Sequence, residues 1–163
     1  MSDNVFLDVK SLRMDFDVTK TFARKKIGTR RAVNDIDLHI FKGETLGLVG
    51  ESGCGKTTTG RCVMRAIEPS AGSVMYRFDG GEPFDLLQLR PQELKQARLN
   101  LRMIFQDPYS SLNPRMNVLR IISAPLVVNK ITTNRGEIED RVSKVLEQVG
   151  LDPEPFSQLA QRN

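Results

Sequence analysis

Nine consecutive residues, Gly50-Glu51-Ser52-Gly53-Cys54-Gly55-Lys56-Thr57-Thr58, bring together the groups needed to hold a polyphosphate. They fit the spacing G-x-x-x-x-G-K-[ST] of a phosphate-binding loop. The glycines let the backbone turn tightly and carry its N–H groups close to phosphate oxygens. A helix starting there adds partial positive charge. Lys56 is placed to reach the β- and γ-phosphates of a nucleoside triphosphate such as ATP, and the Thr57 hydroxyl to ligate Mg²⁺. The bland alternative is a Gly-rich turn that matches by accident, and the flanking elements argue against it.

Those elements are legible from periodicity. Thr45 to Val49 is a short apolar run, predicted to be a buried parallel strand. Thr57 to Glu68 lacks Pro and carries Cys62, Val63, Ala66 and Ile67 at helical spacing. The loop thus lies between a strand and a helix N-terminus, where its mechanism requires it. Upstream, Val5, Leu7 and Val9 alternate with polar residues, and so do Leu12, Met14 and Phe16. This predicts a strand with a bulge near Lys10-Ser11. Asp17 to Arg31 reads as a polar, basic loop, and Val33 to Ile40 as a second strand with Ile36, Leu38 and Ile40 on one face. Residues 41–44 read as a turn.

Downstream, Val74, Tyr76 and Phe78 alternate as a strand, and Pro91 to Arg98 forms a short helix with Pro in its first turn. Leu101 to Phe105 is predicted to be a buried strand. Gln106 to Pro114 is a loop. Val118, Ile121 and Ile122 open a helix that Pro125 is expected to kink. The clearest helix carries Ile138, Val142, Val145, Leu146 and Val149 in one apolar stripe, with a start signal at Asn134 and Glu137 and a stop signal at Gly150.

The 163 residues suffice for one domain of ordinary size, and 39% hydrophobic with 27% charged residues fits a soluble globular protein. No apolar run approaches a membrane span and no signal-peptide core is present, so the expected location is the cytosol. Net charge is +4. The basic cluster Arg24, Lys25, Lys26, Arg30 and Arg31 lacks interleaved aromatics and reads as a solvated loop rather than a nucleic-acid or lipid patch. Cys54 and Cys62 match no metal spacing, and His39 reads as an outward-facing strand residue.

The chain resembles the N-terminal half of an ABC transporter ATPase subunit, more narrowly the oligopeptide, dipeptide and nickel importer group. Three stretches carry the resemblance: Gly43 to Thr58; Met103-Ile104-Phe105-Gln106-Asp107-Pro108-Tyr109-Ser110-Ser111-Leu112-Asn113-Pro114-Arg115-Met116; and Val145 to Leu151. The second is the most specific. The resemblance implies an α/β P-loop NTPase fold of ABC type: an antiparallel β subdomain and phosphate-loop core over residues 1–105, then the Q-loop and the start of a helical subdomain over 106–163.

It also implies roles. Phe16 falls where an aromatic stacks on adenine; an ordinary core Phe is the alternative there, and Phe22 a second candidate. Gln106 falls on the Q-loop glutamine that positions Mg²⁺ and the attacking water. Tyr109, Leu112 and Met116 are either partner contacts or loop packing. The implied partners are a second ABC ATPase subunit, as homo- or heterodimer, and transmembrane permease subunits, with no nucleic acid. The implied location is cytoplasmic, peripheral on the inner face of the cell membrane.

Departures accompany the matches. No L-S-G-G-Q signature, no hydrophobic strand ending in Asp-Glu and no switch histidine occur among these residues. The expectation is therefore a domain truncated before its signature, with its remainder missing, no complete general base, and an inactive isolated chain. A remnant that does not fold, a soluble non-transport ABC ATPase and a small P-loop kinase or GTPase are the competing readings.

Overall fold

The computed structural model describes residues 4–19, 26–78, 80–107, 112–113 and 115–153. The chain divides into two compact units, residues 1–103 and 104–163.

The first unit is built on a four-stranded antiparallel sheet of β1 (Val5–Thr19), β2 (Lys26–Phe41), β3 (Ala71–Tyr76) and β4 (Phe84–Asp85), in the order β2-β1-β3-β4. Both long strands outrun their sequence-based limits: most of the expected loop 17–31 is ladder, from Asp17↔Thr29 to Thr19↔Lys26. Period-two burial explains why these segments pair. Leu7, Val9, Leu12, Met14 and Val33 lie inward, with polar neighbours between them. His39 is exposed on β2, as its alternation suggests.

The pairing of β1 with β2 shifts register five times, and three of the shifts, between Val9 and Asp15, bear on the site. On β1 the buried positions pass from Leu7 and Val9 to Leu12 and Met14, across Ser11 at φ 48°. On β2 the inward positions pass from the half-buried Ile36 to the buried Val33, across Asp35 at φ 53°. The register moves from Val9↔Leu38 to Leu12↔Ile36, then to Met14↔Val33, so each strand holds one extra residue and the two offsets cancel. The Ser11 N–H donates to Asp37 Oδ1 at 2.6 Å, closing the first offset across to β2. A third shift follows directly: from Met14↔Val33 the ladder continues at Asp15↔Arg31, leaving Ala32 opposite no residue of β1.

Helix α1 (Lys56–Val63) packs the buried Cys62 into the core made by Leu7, Val9, Leu12, Val74 and Tyr76. It ends sooner than the predicted Glu68, at a cap on Met64. The Tyr76 hydroxyl donates to the Val63 carbonyl at 3.2 Å. Helix α2 (Pro91–Ala97) starts with Glu93 accepting the Arg90 N–H at 2.9 Å and adds Ala97 to the core. Phe78 falls just beyond β3.

Two predicted strands are corrected. Residues 44–50 and 101–105 carry no strand, and within them Val49 is 96% and Ile104 95% exposed. An apolar run becomes a strand only when a neighbouring strand supplies its ladder, and no described residue pairs with either run.

In the second unit, α3 (Val118–Val128) continues through Pro125, and α4 (Arg135–Gln148) begins at Asn134, whose side chain accepts the Glu137 N–H at 3.3 Å. The predicted stripe on α4 is narrower than its spacing suggests: Val142 and Leu146 are buried, whereas Val145 and Val149 are exposed. One neighbouring helix covers only the centre of such a stripe.

Candidate nucleotide-binding site

The phosphate loop takes its shape from backbone constraints. Gly53 and Gly55 have φ of 81° and 102°, a left-handed region where side chains are strained. A Cβ on Gly55 would also run into the Ala32 carbonyl oxygen. The strand residue displaced from the ladder is thus the one against which the loop closes. Lys56 opens α1 and its ammonium donates to the Gly50 and Glu51 carbonyls at 2.7 and 2.6 Å, drawing the loop around itself. Gly55 is the helix N-cap and carries no side chain to satisfy the first-turn N–H groups, which leaves them for a ligand. Thr59, one turn on, donates its hydroxyl back to the Gly55 carbonyl at 3.1 Å and is buried, so it is structural.

A cleft of ≈ 460 Å³ lies over this loop. Gly53 to Thr58 form one wall, and Phe16, Arg30, Arg31 and Ala32 the other. Its volume suits a nucleotide-sized ligand. Phe16 is 41% exposed, which an aromatic buried in a core would not be. Thr57 is exposed on the same wall as Lys56. Gly50, Glu51 and Ser52 precede this wall and are exposed. Among the described residues no cluster of three or more His, Cys, Asp or Glu could hold a metal ion. A divalent ion would fit here only as Mg²⁺ usually binds, through one hydroxyl and the phosphates themselves.

The sequence-based candidates therefore fall into three sets. Phe16 and the loop residues from Gly53 to Thr58 share one cleft, although they lie far apart in the chain. Gln106 lies in the second unit, exposed, in a bend. Phe22 and Tyr109 fall outside the described residues, whereas Leu112 is exposed and Met116 half-buried.

Arg30, Arg31 and Ala32 were not among the site candidates. Their stretch is polar and basic, and the strand that aims them at the loop is visible only through its ladder. Arg30 and Arg31 are strand residues rather than loop residues, a correction to the solvated-loop reading; Arg24 and Lys25 lie outside the described residues. Arg31 donates from Nε to Asp15 Oδ1 at 2.8 Å and from Nη1 to Asn34 Oδ1 at 3.2 Å. The Asp15 carboxylate raises the pKa of that guanidinium, chiefly through the hydrogen bond.

Comparison with known proteins converges on this geometry. The sequence profile described as "ABC transporter" matches residues 33–162. The oligopeptide transport ATP-binding protein OppF of Bacillus subtilis (strain 168) is 44% identical over 148 residues, covering 91% of this chain and 45% of that protein. AppF, an oligopeptide transport ATP-binding protein of the same organism, is 36% identical over 153 residues, covering 93% and 45%. The chain thus spans under half the length of these relatives. Among solved structures, the dimeric post-hydrolysis state of the ATP-binding cassette MJ0796 bound to ADP and Pi superposes with a TM-score of 0.68 at 21% identity, covering 92% of this chain and 59% of that one. A second dimeric MJ0796 structure gives 0.64 at 22%, covering 86% and 54%. At that identity the likeness concerns the fold.

Proposed function

This chain belongs to the ABC transporter family, and on that premise we propose that it binds ATP with Mg²⁺ in the cleft over Lys56, as part of the ATPase subunit that powers peptide import. The observation that carries the reading is the single cleft walled by the phosphate loop on one side and by Phe16 on the other. Peptide as the cargo class is supported by two relatives, OppF and AppF, both named as oligopeptide transport ATP-binding proteins.

The residues divide the work. The first-turn N–H groups of α1 and the Lys56 ammonium receive phosphate oxygens. Lys56 already donates to two loop carbonyls, so it is oriented before any ligand arrives. Thr57 offers its hydroxyl to Mg²⁺, and Phe16 offers a ring face to the base. Mg²⁺, when bound, neutralises charge on the β- and γ-phosphates. By its family resemblance Gln106 is the residue that would position Mg²⁺ and the attacking water. ATP hydrolysis then falls to the assembled subunit, paired with a second ATPase subunit and docked on permease subunits through the Q-loop region and α3–α4. Among the described residues no helix is long and apolar enough to cross a membrane. The proposed location is accordingly the cytoplasmic face, reached through those permease partners.

The test is calorimetric titration of the 163-residue polypeptide with MgATP. Binding is expected for the parent and is lost in Lys56→Ala, with the thermal melt retained. Equal binding in Lys56→Ala would overturn the site.

A further inference from the structure

The wall opposite the phosphate loop contains two arginines, and the ladder treats them differently. Directly opposed residues of an antiparallel pair share a face of the sheet. Phe16 opposes Arg30, and Asp15 opposes Arg31. Arg30 is therefore on the face of Phe16, and Arg31 on the face of Asp15. This assignment depends on Ala32. Were Ala32 an ordinary ladder residue, strict alternation from the buried Val33 would place Arg31, not Arg30, beside Phe16. The offset at Ala32 exchanges them.

The consequence is electrostatic. Arg31 is engaged by Asp15 and Asn34, so its charge is largely answered. Arg30 makes no ion pair among the described residues, is exposed, and lines the cleft. Lys56 is turned toward its own loop carbonyls. Among the described residues, Arg30 is thus the one cation lining the cleft whose side chain has no hydrogen-bond or ion-pair partner, and it stands on the wall facing Lys56. A polyphosphate held by the loop carries charge that one ammonium does not balance, and a guanidinium offers forked donors to phosphate oxygens.

We propose that Arg30 is a nucleotide-binding residue of this chain that contacts the polyphosphate from the β1–β2 wall, beside the base-stacking Phe16. The inference rests on the reading of the cleft as an ATP site and adds a residue outside the phosphate loop. Ala32 is the device that makes it possible, because the same displaced residue both seats Gly55 and turns Arg30 inward.

The experiment compares MgATP, ADP, AMP and adenosine binding across the parent chain, Arg30→Gln, Arg30→Lys and Lys42→Gln. Lys42 is an exposed turn residue outside the cleft and controls for the loss of one positive charge. Arg30→Gln is expected to weaken MgATP by about tenfold, which is ~1.4 kcal/mol. The loss should shrink as phosphates are removed and vanish for adenosine. Arg30→Lys should recover most of the affinity, Lys42→Gln should match the parent, and thermal melts should be unchanged, since the side chain is exposed. Parent-like MgATP affinity in Arg30→Gln, with Lys56→Ala still abolishing binding, overturns the role of Arg30 and leaves the ATP site standing. An equal loss for adenosine and MgATP also overturns it, because the contact would then be to the base. No binding by the parent chain overturns both readings.

Discussion

Gly55 and Ala32 meet backbone to backbone: a side chain at Gly55 has no room because the Ala32 carbonyl oxygen occupies its place. Gly55 also has φ 102°, so an added Cβ is penalised twice. Gly55→Ala is expected to cost at least ~1–3 kcal/mol of stability from the backbone conformation alone. It should weaken MgATP binding as well, because relief of the clash must open the phosphate loop. Chemical denaturation and nucleotide titration together check this, and a variant with parent stability and affinity would contradict the close contact.

A second glycine makes a control possible. A Cβ on Gly72 would lie 2.7 Å from Leu12 Cα and 2.8 Å from the Lys10 and Ser11 carbonyl oxygens, at φ 108°. These are backbone atoms of the central strand and cannot step aside. Gly72→Ala should destabilise by ~2 kcal/mol or more. Gly47→Ala, with open space around it and no positive φ, should melt like the parent.

Tyr76 fastens the far end of α1 to the sheet through its hydroxyl and the Val63 carbonyl. Tyr76→Phe keeps the ring packing and loses this bond, for an expected cost of ~0.5–1.5 kcal/mol. Burial pushes the Tyr76 hydroxyl pKa upward. A proton retained in the fold and released on unfolding destabilises the fold once pH exceeds the unfolded tyrosine value, ~10. The parent should therefore lose stability above that pH more steeply than Tyr76→Phe, as read from denaturant midpoints across an alkaline series.

The start of α4 sets an acid-side limit. Glu137 accepts the Thr132 hydroxyl at 2.7 Å and the Arg141 guanidinium at 2.6 Å. Thr132 first, then Arg141, hold its pKa below the ordinary carboxylate value. The fold favours the ionised form, so the contribution is complete above the unfolded glutamate value, ~4.3, and disappears as pH falls through the lowered native one. Glu137→Gln should remove that part of the acid sensitivity. Identical acid melting curves for the two chains would rule the linkage out.

Features set by neighbours in the chain were readable in advance. The phosphate-loop spacing, the Asn134 cap and the bulge at Lys10-Ser11 all depend on residues a few positions apart. Others depend on residues far away. Thr45 to Val49 and Leu101 to Phe105 have strand-like composition, but composition does not supply a ladder partner. The α4 stripe marks which residues are apolar, not how many a single neighbour can cover, so Val145 and Val149 remain exposed. Arg30 and Arg31 are chemically identical in the string. Only the displaced Ala32 tells them apart, and a one-residue offset in a long-range pairing leaves no local mark.

The twin offsets at Ser11 and Asp35 give the sheet a rule about insertions and deletions. Each strand is one residue longer than its partner's rise demands, in the same place, and the surplus on one is absorbed by the surplus on the other. Removing Ser11 alone would throw everything beyond it into antiphase, turning Phe16 away from the cleft and Asp15 toward the interior. Removing Ser11 and Asp35 together restores the match, so the double deletion should fold better than either single one. At these two offsets length is therefore heritable in pairs: a gap at Ser11 calls for a compensating gap at Asp35, twenty-four residues along the chain.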